Sequence, residues 1–287
     1  MAIELRRTVS GDTETCARIM YEAFKGVADR HGFPPALPSI DVARRVATLF
    51  IGLPALYSLV AVQRDTPVGV IFLDEGDPIR GVAIVAVDPA AQRGGIGRAL
   101  MQAALERAHG APGVRLVQEA YNAGSMGLYI SLGFAVKEPL VRVSGRPRDA
   151  PAEGVEIRPW TVADIGECEQ LCRTVHGITR TDDLRDAARL FAPFAARREG
   201  RITAYTYAVH GGILAWGVAE TEADMRALLL GIGAAIPDAL SLHLPTRQEG
   251  LLRWCLEQGF RIEKPLTLMA MGEYHEPRGC YFPSGTY

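Results

Sequence analysis

Residues 85–100 read VAVDPAAQRGGIGRAL, and this stretch decides the fold. An apolar strand stops at Pro89, a glycine-rich basic turn follows, and an amphipathic helix is predicted to begin near Gly97. Glycine lacks a Cβ, so backbone N–H groups in such a turn can approach an anion closely, at the positive end of the helix dipole. The stretch therefore predicts a phosphate cradle made of Gln92, Arg93, Gly94, Gly95, Ile96, Gly97 and Arg98.

Three glycines in four residues also suit a plain strand-to-helix connection, and the stretch alone leaves that alternative open. The dinucleotide pattern G-x-G-x-x-G lacks its third glycine here, and the P-loop pattern lacks its Lys-Ser/Thr. The stretch resembles instead the Gln/Arg-x-x-Gly-x-Gly/Ala pyrophosphate loop of the GCN5-related N-acetyltransferases, with Gln92, Gly95 and Gly97 at the matching positions.

A second segment, NAGSMGLYISLGF at residues 122–134, resembles the N-x-x-A-x-x-L-Y-x-x-x-G-F segment that closes the catalytic domain of the same family. Ser125 is the one departure, since the family usually has alanine there. Two motifs in this order and at this distance are more specific than either alone. The resemblance covers residues 1–145 and implies the family's α/β fold with a mixed sheet, the acyl-CoA N-acyltransferase fold.

The composition excludes several other classes of protein. The chain has 287 residues, 48% hydrophobic and 22% charged, which suits two globular domains. A net charge of −2 argues against a nucleic-acid-binding or membrane-binding surface. Five cysteines without CxxC spacing, and no signal-peptide pattern, predict reduced thiols in a cytoplasmic protein. Cys168 and Cys172 lie one helical turn apart but have no further ligand nearby, so we expect buried thiols and no metal.

The chain also repeats itself. Residues 3–16 recur 152 positions later at 155–168, where IELR becomes VEIR and an aspartate and a cysteine keep their places. Residues 114–140 align without a gap on 240–266, 126 positions later. Repeats of this kind indicate two copies of one fold. In the first copy we predict strands near 3–8, 57–63, 68–74, 81–87, 114–120 and 134–143, and helices near 12–26, 40–51, 97–109 and 123–132.

We therefore predict a catalytic, acetyl-CoA-binding domain over 1–145, a linker over 146–154 and a degenerate copy over 155–287 with an irregular C-terminal tail. The linker is rich in proline, glycine and charge. The degenerate copy reads ETEAD at 220–224, where a glycine loop is expected, and its carboxylates would repel a pyrophosphate. At the 126-residue offset, Asn122 and Tyr129 become glutamine and cysteine.

The resemblance also implies roles for particular residues. The backbone of Val85, Ala86 and Val87 would pair with the pantetheine arm of acetyl-CoA and polarise the thioester carbonyl. Tyr129 would give a proton to the departing sulfur, and the alternative is a tyrosine that only packs in the core. Asn122 would contact the cofactor, cap the helix that follows, or do both.

The general base is not identified by the sequence. Glu119 lies near the end of the strand after the loop helix, where it is either a base or a solvated glutamate. His31 lies in the predicted loop 30–38, in the segment that binds the acceptor in the family, and a loop histidine without function is the alternative.

The resemblance implies an N-acetyltransferase that moves the acetyl group of acetyl-CoA to a primary amine of a small molecule or a peptide terminus. The partners would be acetyl-CoA and the amine acceptor, without nucleic acid or membrane, in a monomer or homodimer. The alternative is a non-catalytic acyl-CoA-binding or regulatory module, which would bind the cofactor without releasing CoA.

Overall fold

The computed structural model describes residues 3–209 and 212–286. They form two units, which interleave along the chain. Unit 1 contains residues up to Ala135, together with Met269–Gly272 and the chain end, and unit 2 contains Val136–Leu268 and Glu273–Gly285. The fold is α/β with a mixed sheet, as the sequence predicts, since one strand pair is parallel and its neighbours are antiparallel.

Unit 1 has one twisted sheet with helices packed on it. The strand order is β1–β2–β3–β4–β5, and Met269–Gly272 lies beyond β5. Its elements are β1 (Glu4–Arg7), α1 (Thr13–His31), α2 (Ile40–Gly52), β2 (Leu56–Gln63), β3 (Thr66–Asp74), β4 (Arg80–Val87), α3 (Ile96–Arg107), β5 (Gly113–Glu119) and α4 (Ala123–Ser131).

These elements agree with the predicted ones in order and type, with one correction at His31. The sequence predicted His31 in a loop, but it is the last residue of α1. Gly32, with φ +70°, ends the helix in the left-handed conformation, and the His31 Nδ1 lies 2.9 Å from the Val27 carbonyl oxygen. A C-terminal glycine in this conformation is a common helix stop, so α1 extends past the predicted end at residue 26.

The core of unit 1 lies between the sheet and α3 with α4. Ile71, Leu100, Leu116 and Phe134 are buried together in it. Tyr129 of α4 belongs to the same cluster. This burial fixes α3 and the loop before it against the end of β4.

Unit 2 contains a second sheet with the order β13–β10–β9–β8–β7, and a further group of paired strands in the order β12–β6–β11, in which β6 and β11 are antiparallel. Its elements are β6 (Ala135–Gly145, which begins at the last residue of unit 1's first segment), β7 (Glu156–Pro159), α5 (Ile165–His176), α6 (Thr181–Leu190), β8 (Phe194–Arg198), β9 (Arg201–Tyr207), β10 (Trp216–Ala219), α7 (Glu222–Ala235), β11 (Leu240–Pro245), α8 (Glu249–Glu257), β12 (Arg261–Gly272, whose last four residues belong to unit 1) and β13 (Cys280–Phe282).

The repeated sequence forms the same local structure in both units. Arg6 donates to both carboxylate oxygens of Asp12, at 2.8 Å each. Arg158 donates to Asp164 in the same way, at 3.0 and 2.6 Å. The arginine lowers the pKa of each aspartate, that of Asp164 to about 2. The first strand and first helix of each unit are thus joined by the same ion pair.

The closing segments repeat as well. Helices α4 and α8 have nine residues each and begin 126 positions apart. After each helix the chain turns back through the same backbone hydrogen bond, from Phe134 N–H to the Tyr129 carbonyl at 3.1 Å and from Phe260 N–H to the Cys255 carbonyl at 2.9 Å. The two halves therefore share their local fold as well as their sequence pattern.

The division into units differs from the predicted boundaries 1–145 and 155–287. Strand β6 groups with unit 2 because its residues Leu140–Gly145 pair with Leu240–Pro245 of β11. Met269 at the end of β12 groups with unit 1 because its side chain is buried in that core. Strand pairing between distant parts of the chain decides both assignments.

The segment 146–154 has no helix or strand, as its composition predicts, but it is attached to unit 2. The Gln258 side-chain oxygen accepts hydrogen bonds from the backbone N–H groups of Arg148 and Asp149, at 2.9 and 3.0 Å. The Arg146 guanidinium donates to the Gly233 carbonyl at 3.1 Å. These bonds hold the first part of the predicted linker on one surface.

All five cysteines are buried and none forms a disulfide, and these include Cys168 and Cys172 of α5, as expected. Burial raises the pKa of the Cys168 thiol. Within residues 3–209 and 212–286, no helix is both long enough and apolar enough to cross a membrane.

Acid is expected to destabilise unit 2 through His243, a buried histidine on β11. Burial, with Arg142 and Lys264 nearby, lowers its pKa from 6.5 to about 3. The unfolded chain therefore takes up a proton that the folded chain does not, so this contribution to stability is complete above about pH 6.5 and is lost as the pH falls. The loss at pH 5 is about 2 kcal/mol.

The measurement is urea unfolding between pH 7 and pH 5, followed by tryptophan fluorescence, because all three tryptophans lie in unit 2. His243→Gln keeps a donor for the Pro283 carbonyl but cannot titrate, so its stability should fall less with pH. If the free energy of unfolding fell equally from pH 7 to pH 5 in both proteins, His243 would not be the source of the pH dependence.

Candidate functional site

The candidate site of unit 1 begins at a gap between β4 and β5. Strand β4 pairs with β3 from Gly81 to Val87. Its parallel pairing with β5 covers only Arg80 with Val114 and Gly81 with Arg115. The described strands therefore separate after Gly81, and the β5-facing edge of β4 that includes Val85, Ala86 and Val87 can pair with another extended molecule.

A β-bulge in β4 decides which side chains face the loop helix. The register with β3 shifts between Phe72 and Leu73, where Ile84 and Val82 are the partners. Val85 and Val87 pack on the cluster that contains α3, and Ala86 is buried. These side chains pack in the core, so only the backbone N–H and C=O groups of this part of β4 can bind a ligand.

The glycine loop follows the open end of β4. Arg93 and Gly95 both have left-handed backbone, with φ +66° and +82°. Left-handed residues in such a turn direct successive N–H groups into one concavity, which is a common anion site. A Cβ built on Gly95 meets no atom within 4 Å, so the space around it is open.

Helix α3 adds its N-terminus to this loop. Its first hydrogen bond runs from Ala99 N–H to the Gly95 carbonyl at 3.0 Å, so the N–H groups of Ile96, Gly97 and Arg98 point out of the helix end. The side chain of Ile96 is buried in the core, which anchors the helix start. The arrangement can bind a diphosphate through backbone N–H groups and the helix dipole.

Two predicted loop residues hold the loop in place. The Gln92 side chain donates to the Val87 carbonyl at 3.1 Å, which ties the loop to the end of β4. The Arg98 guanidinium donates to the Ser131 hydroxyl at 2.8 Å, which ties α3 to α4. Gly94 is exposed beside them.

Asn122, Ser125 and Tyr129 form a connected set on the first turns of α4. Asn122 caps the helix, since its Oδ1 accepts from the Ser125 N–H at 3.2 Å, and its Nδ2 donates to the Ser125 hydroxyl at 2.8 Å. The Ser125 side chain also interacts with the Tyr129 hydroxyl. Burial raises the pKa of Tyr129 to about 12, and the interaction with Ser125 opposes that rise. Tyr129 therefore keeps its proton at neutral pH.

The capping role of Asn122 predicted from sequence is confirmed, and Ser125 has a contact that alanine could not make. The departure from the family pattern thus has a structural consequence: the hydroxyl connects the helix cap to the buried tyrosine.

His31 and Glu119, the two candidate bases, lie on different elements. Glu119 ends β5, and Tyr121 follows two residues later. The His31 ring lies 5.2 Å from the Tyr121 ring, and Phe33 stacks on Tyr121 at 4.5 Å. The end of α1 therefore contacts the turn that follows β5, two residues past Glu119.

The sequence analysis did not identify Gln118. This residue is 7% exposed, and among the described residues neither its side-chain oxygen nor its side-chain nitrogen has a hydrogen-bond partner. It lies on β5, three positions past the last residue that pairs with β4. The one sequence feature that could have identified Gln118 is that it is a polar residue inside a predicted strand.

In unit 2, the C-terminal tail takes the corresponding strand edge. Strand β13 pairs with β10, with Gly217 opposite Phe282 and Ala219 opposite Cys280. The Phe282 ring lies against Gly217, where a Cβ would overlap it. Gln248, aligned with Asn122, accepts from the Tyr281 N–H at 3.0 Å and donates to the Tyr281 carbonyl. The strand that corresponds to β4 thus has a peptide on its free edge.

The carboxylates predicted to block a cradle in unit 2 are engaged in ion pairs. Glu220 pairs with Arg201, Glu222 with Arg226, and Asp224 with Arg198 at 3.1 Å. Thr221 caps α7 and accepts from the Asp224 N–H at 3.1 Å. The N-terminus of α7 is therefore satisfied by its own side chains, which differs from the open N-terminus of α3.

Comparisons with known proteins agree with this geometry. Residues 54–136 match the family model described as an acetyltransferase (GNAT) domain. A mycothiol acetyltransferase of Nocardiopsis dassonvillei is 40% identical over 85 residues, which is 29% of this chain. The chain spans about a quarter of that relative, 26% of its length.

Solved structures show the same fold over nearly the whole chain. A Pyrococcus horikoshii protein assigned as an acetyltransferase has a TM-score of 0.74 at 18% identity, with 98% of this chain and 94% of that chain covered. A tandem GNAT protein from the clavulanic acid biosynthesis pathway has a TM-score of 0.58 at 15% identity, with 94% and 98% covered. The glycine loop, the gap and the α4 segment all lie within or beside the matched region, and the chain therefore contains a GNAT acetyltransferase domain within a GNAT fold.

Proposed function

We propose that this protein is an N-acetyltransferase that uses acetyl-CoA to acetylate a primary amine of a small molecule or a peptide terminus. The observation that carries the proposal is the open edge of β4, which leads directly into a glycine loop and the N-terminus of α3. The described residues of unit 2 do not show this combination, so we propose one active site per chain, in unit 1.

The residues of unit 1 fit the cofactor. The left-handed Arg93 and Gly95 and the free N–H groups of α3 suit its diphosphate. The backbone of Val85, Ala86 and Val87 suits the amides of its pantetheine arm, as the unit 2 tail strand on β10 illustrates with a peptide. The family match supports the same donor.

Acetyl-CoA supplies an activated acetyl thioester. The protein must then hold the thioester carbonyl near a backbone N–H of β4, deprotonate the amine and protonate the leaving sulfur. Tyr129 can donate that proton because its hydroxyl stays protonated at neutral pH. Glu119, directly or through water, and His31 remain the two candidate bases, since both lie at the Tyr121 end of β5.

The charge of the chain bears on the acceptor. The net charge of −2 and the absence of charge runs favour a small amine or a peptide terminus over a polyanion. The two curated relatives are named mycothiol acetyltransferases, but the shared stretches cover 26% and 22% of those proteins, so the acceptor is not transferred from them. Five buried thiols support the cytoplasm as the location.

Calorimetry with acetyl-CoA and a coupled assay for free CoA with a panel of primary amines test the proposal together. We expect one cofactor bound per chain and steady CoA release with at least one amine. Tight binding without release for every amine class would favour the non-catalytic binding module. No binding, or two cofactors per chain, would contradict the assignment of the site.

Gly95→Asp is expected to weaken acetyl-CoA binding about 100-fold, because a carboxylate would lie in the anion site. Aspartate and asparagine both tolerate left-handed backbone, and each costs about 1 kcal/mol relative to glycine at φ +82°. Gly95→Asn is therefore the matched control and should bind within about 10-fold of the parent protein. Equal affinities of the two variants in calorimetry would contradict a diphosphate at this loop.

A further inference from the structure

Gln118 is a buried polar side chain of unit 1 that the proposed chemistry leaves unused. It is 7% exposed, and both polar atoms of its amide lack a hydrogen-bond partner among the described residues. A buried amide that loses its bonds to water without replacement is destabilising, so native proteins satisfy nearly all such groups. An unsatisfied amide at this depth points to a partner that binds from outside.

Gln118 lies beside the gap between β4 and β5. Alternation along β5 places it on the same face as Leu116 and Val114, which are buried in the cluster that contains Tyr129. It follows Arg115, the last residue paired with β4, by three positions. Gln118 therefore lies on the part of β5 that borders the gap, with its side chain on the face of the sheet that also carries Tyr129.

Unit 2 has a different residue at the position that corresponds to Gln118. At the 126-residue offset Gln118 becomes Leu244, which is fully buried in the core of unit 2. Both residues are buried on corresponding strands, β5 and β11. Leucine is thus compatible with this position, and the glutamine of unit 1 is not required by the fold itself.

Unit 2 also shows how an amide side chain holds a backbone amide in this fold. Gln248 accepts from the Tyr281 N–H at 3.0 Å and donates to the Tyr281 carbonyl. Both polar atoms of the side-chain amide are satisfied by one peptide residue. The same pairing would satisfy both atoms of Gln118.

We propose that Gln118 binds a secondary amide of a ligand in the β4–β5 gap, where it donates to the amide carbonyl and accepts from the amide N–H. The inference rests on the proposed function, because the pantetheine arm of acetyl-CoA carries two secondary amides. An acceptor that carries a peptide bond presents the same chemistry. Gln118 is thereby a binding residue on the part of β5 that borders the gap.

Gln118→Leu tests this, with the residue that unit 2 uses at the same place. Calorimetry compares CoA with 3′-phosphoadenosine 5′-diphosphate, which has the three phosphates of CoA but no pantetheine. If the amide belongs to pantetheine, CoA affinity falls about 10-fold and the affinity for 3′-phosphoadenosine 5′-diphosphate is unchanged. If it belongs to the acceptor, CoA affinity is unchanged, and KM rises about 10-fold for a peptide acceptor but not for an alkylamine.

Gln118→Glu is the second variant, since it keeps the size and one acceptor but loses the donor, and it should reproduce the loss. Thermal unfolding without ligand should show Gln118→Leu at least as stable as the parent protein, so weaker binding cannot be attributed to misfolding. Unchanged CoA affinity together with unchanged acceptor KM would overturn the inference and leave the proposed function intact. Failure of the parent protein to bind CoA would overturn both.

Discussion

Tyr129→Phe is expected to lower the rate of acetyl transfer by about 100-fold to 10,000-fold, with little change in acetyl-CoA affinity. The ring is buried among core residues of unit 1, and phenylalanine fills the same space. The hydroxyl alone is lost, and with it the proton for the departing sulfur.

The structure supports this separation of packing from chemistry. Burial raises the pKa of Tyr129 to about 12, so the hydroxyl carries its proton throughout the neutral range. Its ring packs edge-on against Phe134, with the ring centres 6.2 Å apart, and phenylalanine can keep that contact. The Ser125 hydroxyl, which accepts a hydrogen bond from Asn122, interacts with the tyrosine hydroxyl.

Single-turnover measurement of CoA release checks the prediction, since it isolates the chemical step from product release. Tyr57→Phe is a matched control, because Tyr57 also belongs to unit 1 but contacts the guanidinium groups of Arg7 and Arg107. The control should keep the parent rate. A Tyr129→Phe rate equal to that of the parent would exclude Tyr129 as the proton donor.

Phe282→Ala is expected to destabilise unit 2 by about 3–5 kcal/mol. Phe282 is fully buried, lies in the main core cluster of unit 2 and packs against Gly217 across the β10–β13 pair. Removal of the ring leaves a cavity beside a glycine that has no side chain to fill it. The tail strand would then be held mainly by its backbone pairing with β10 and by the hydrogen bonds between Gln248 and Tyr281.

Urea unfolding followed by tryptophan fluorescence measures this effect in unit 2, where Trp160, Trp216 and Trp254 lie. Leu256→Ala is the control, since Leu256 is a 45% exposed side chain of the same unit and its loss should cost less than about 1 kcal/mol. A loss below about 1 kcal/mol for Phe282→Ala would mean that the tail strand contributes little to the stability of unit 2.

Several features of the site were not predicted, some because a local signal was ambiguous and others because they depend on distant contacts. His31 looked like a loop residue because its stop signal, Gly32, is a single glycine among other breakers, and the structure continues α1 to His31. Gln118 looked like an ordinary strand residue, because alternation predicts a face but not whether a partner lies on it. The contact of His31 with Tyr121 joins residues that are far apart in the sequence.

The amino-acid sequence by itself determined the order of the elements, the glycine loop, the capped helix with Tyr129 and the internal repeat. Each depends on periodicity, turn residues or short spacings, which act within a few residues of the chain. Only the tertiary structure decided that β6 pairs with β11, that the end of β12 enters the core of unit 1, and that the tail strand lies on β10. A strand's partner depends on backbone hydrogen bonds and burial contributed by distant segments, and these exist only once the chain has folded.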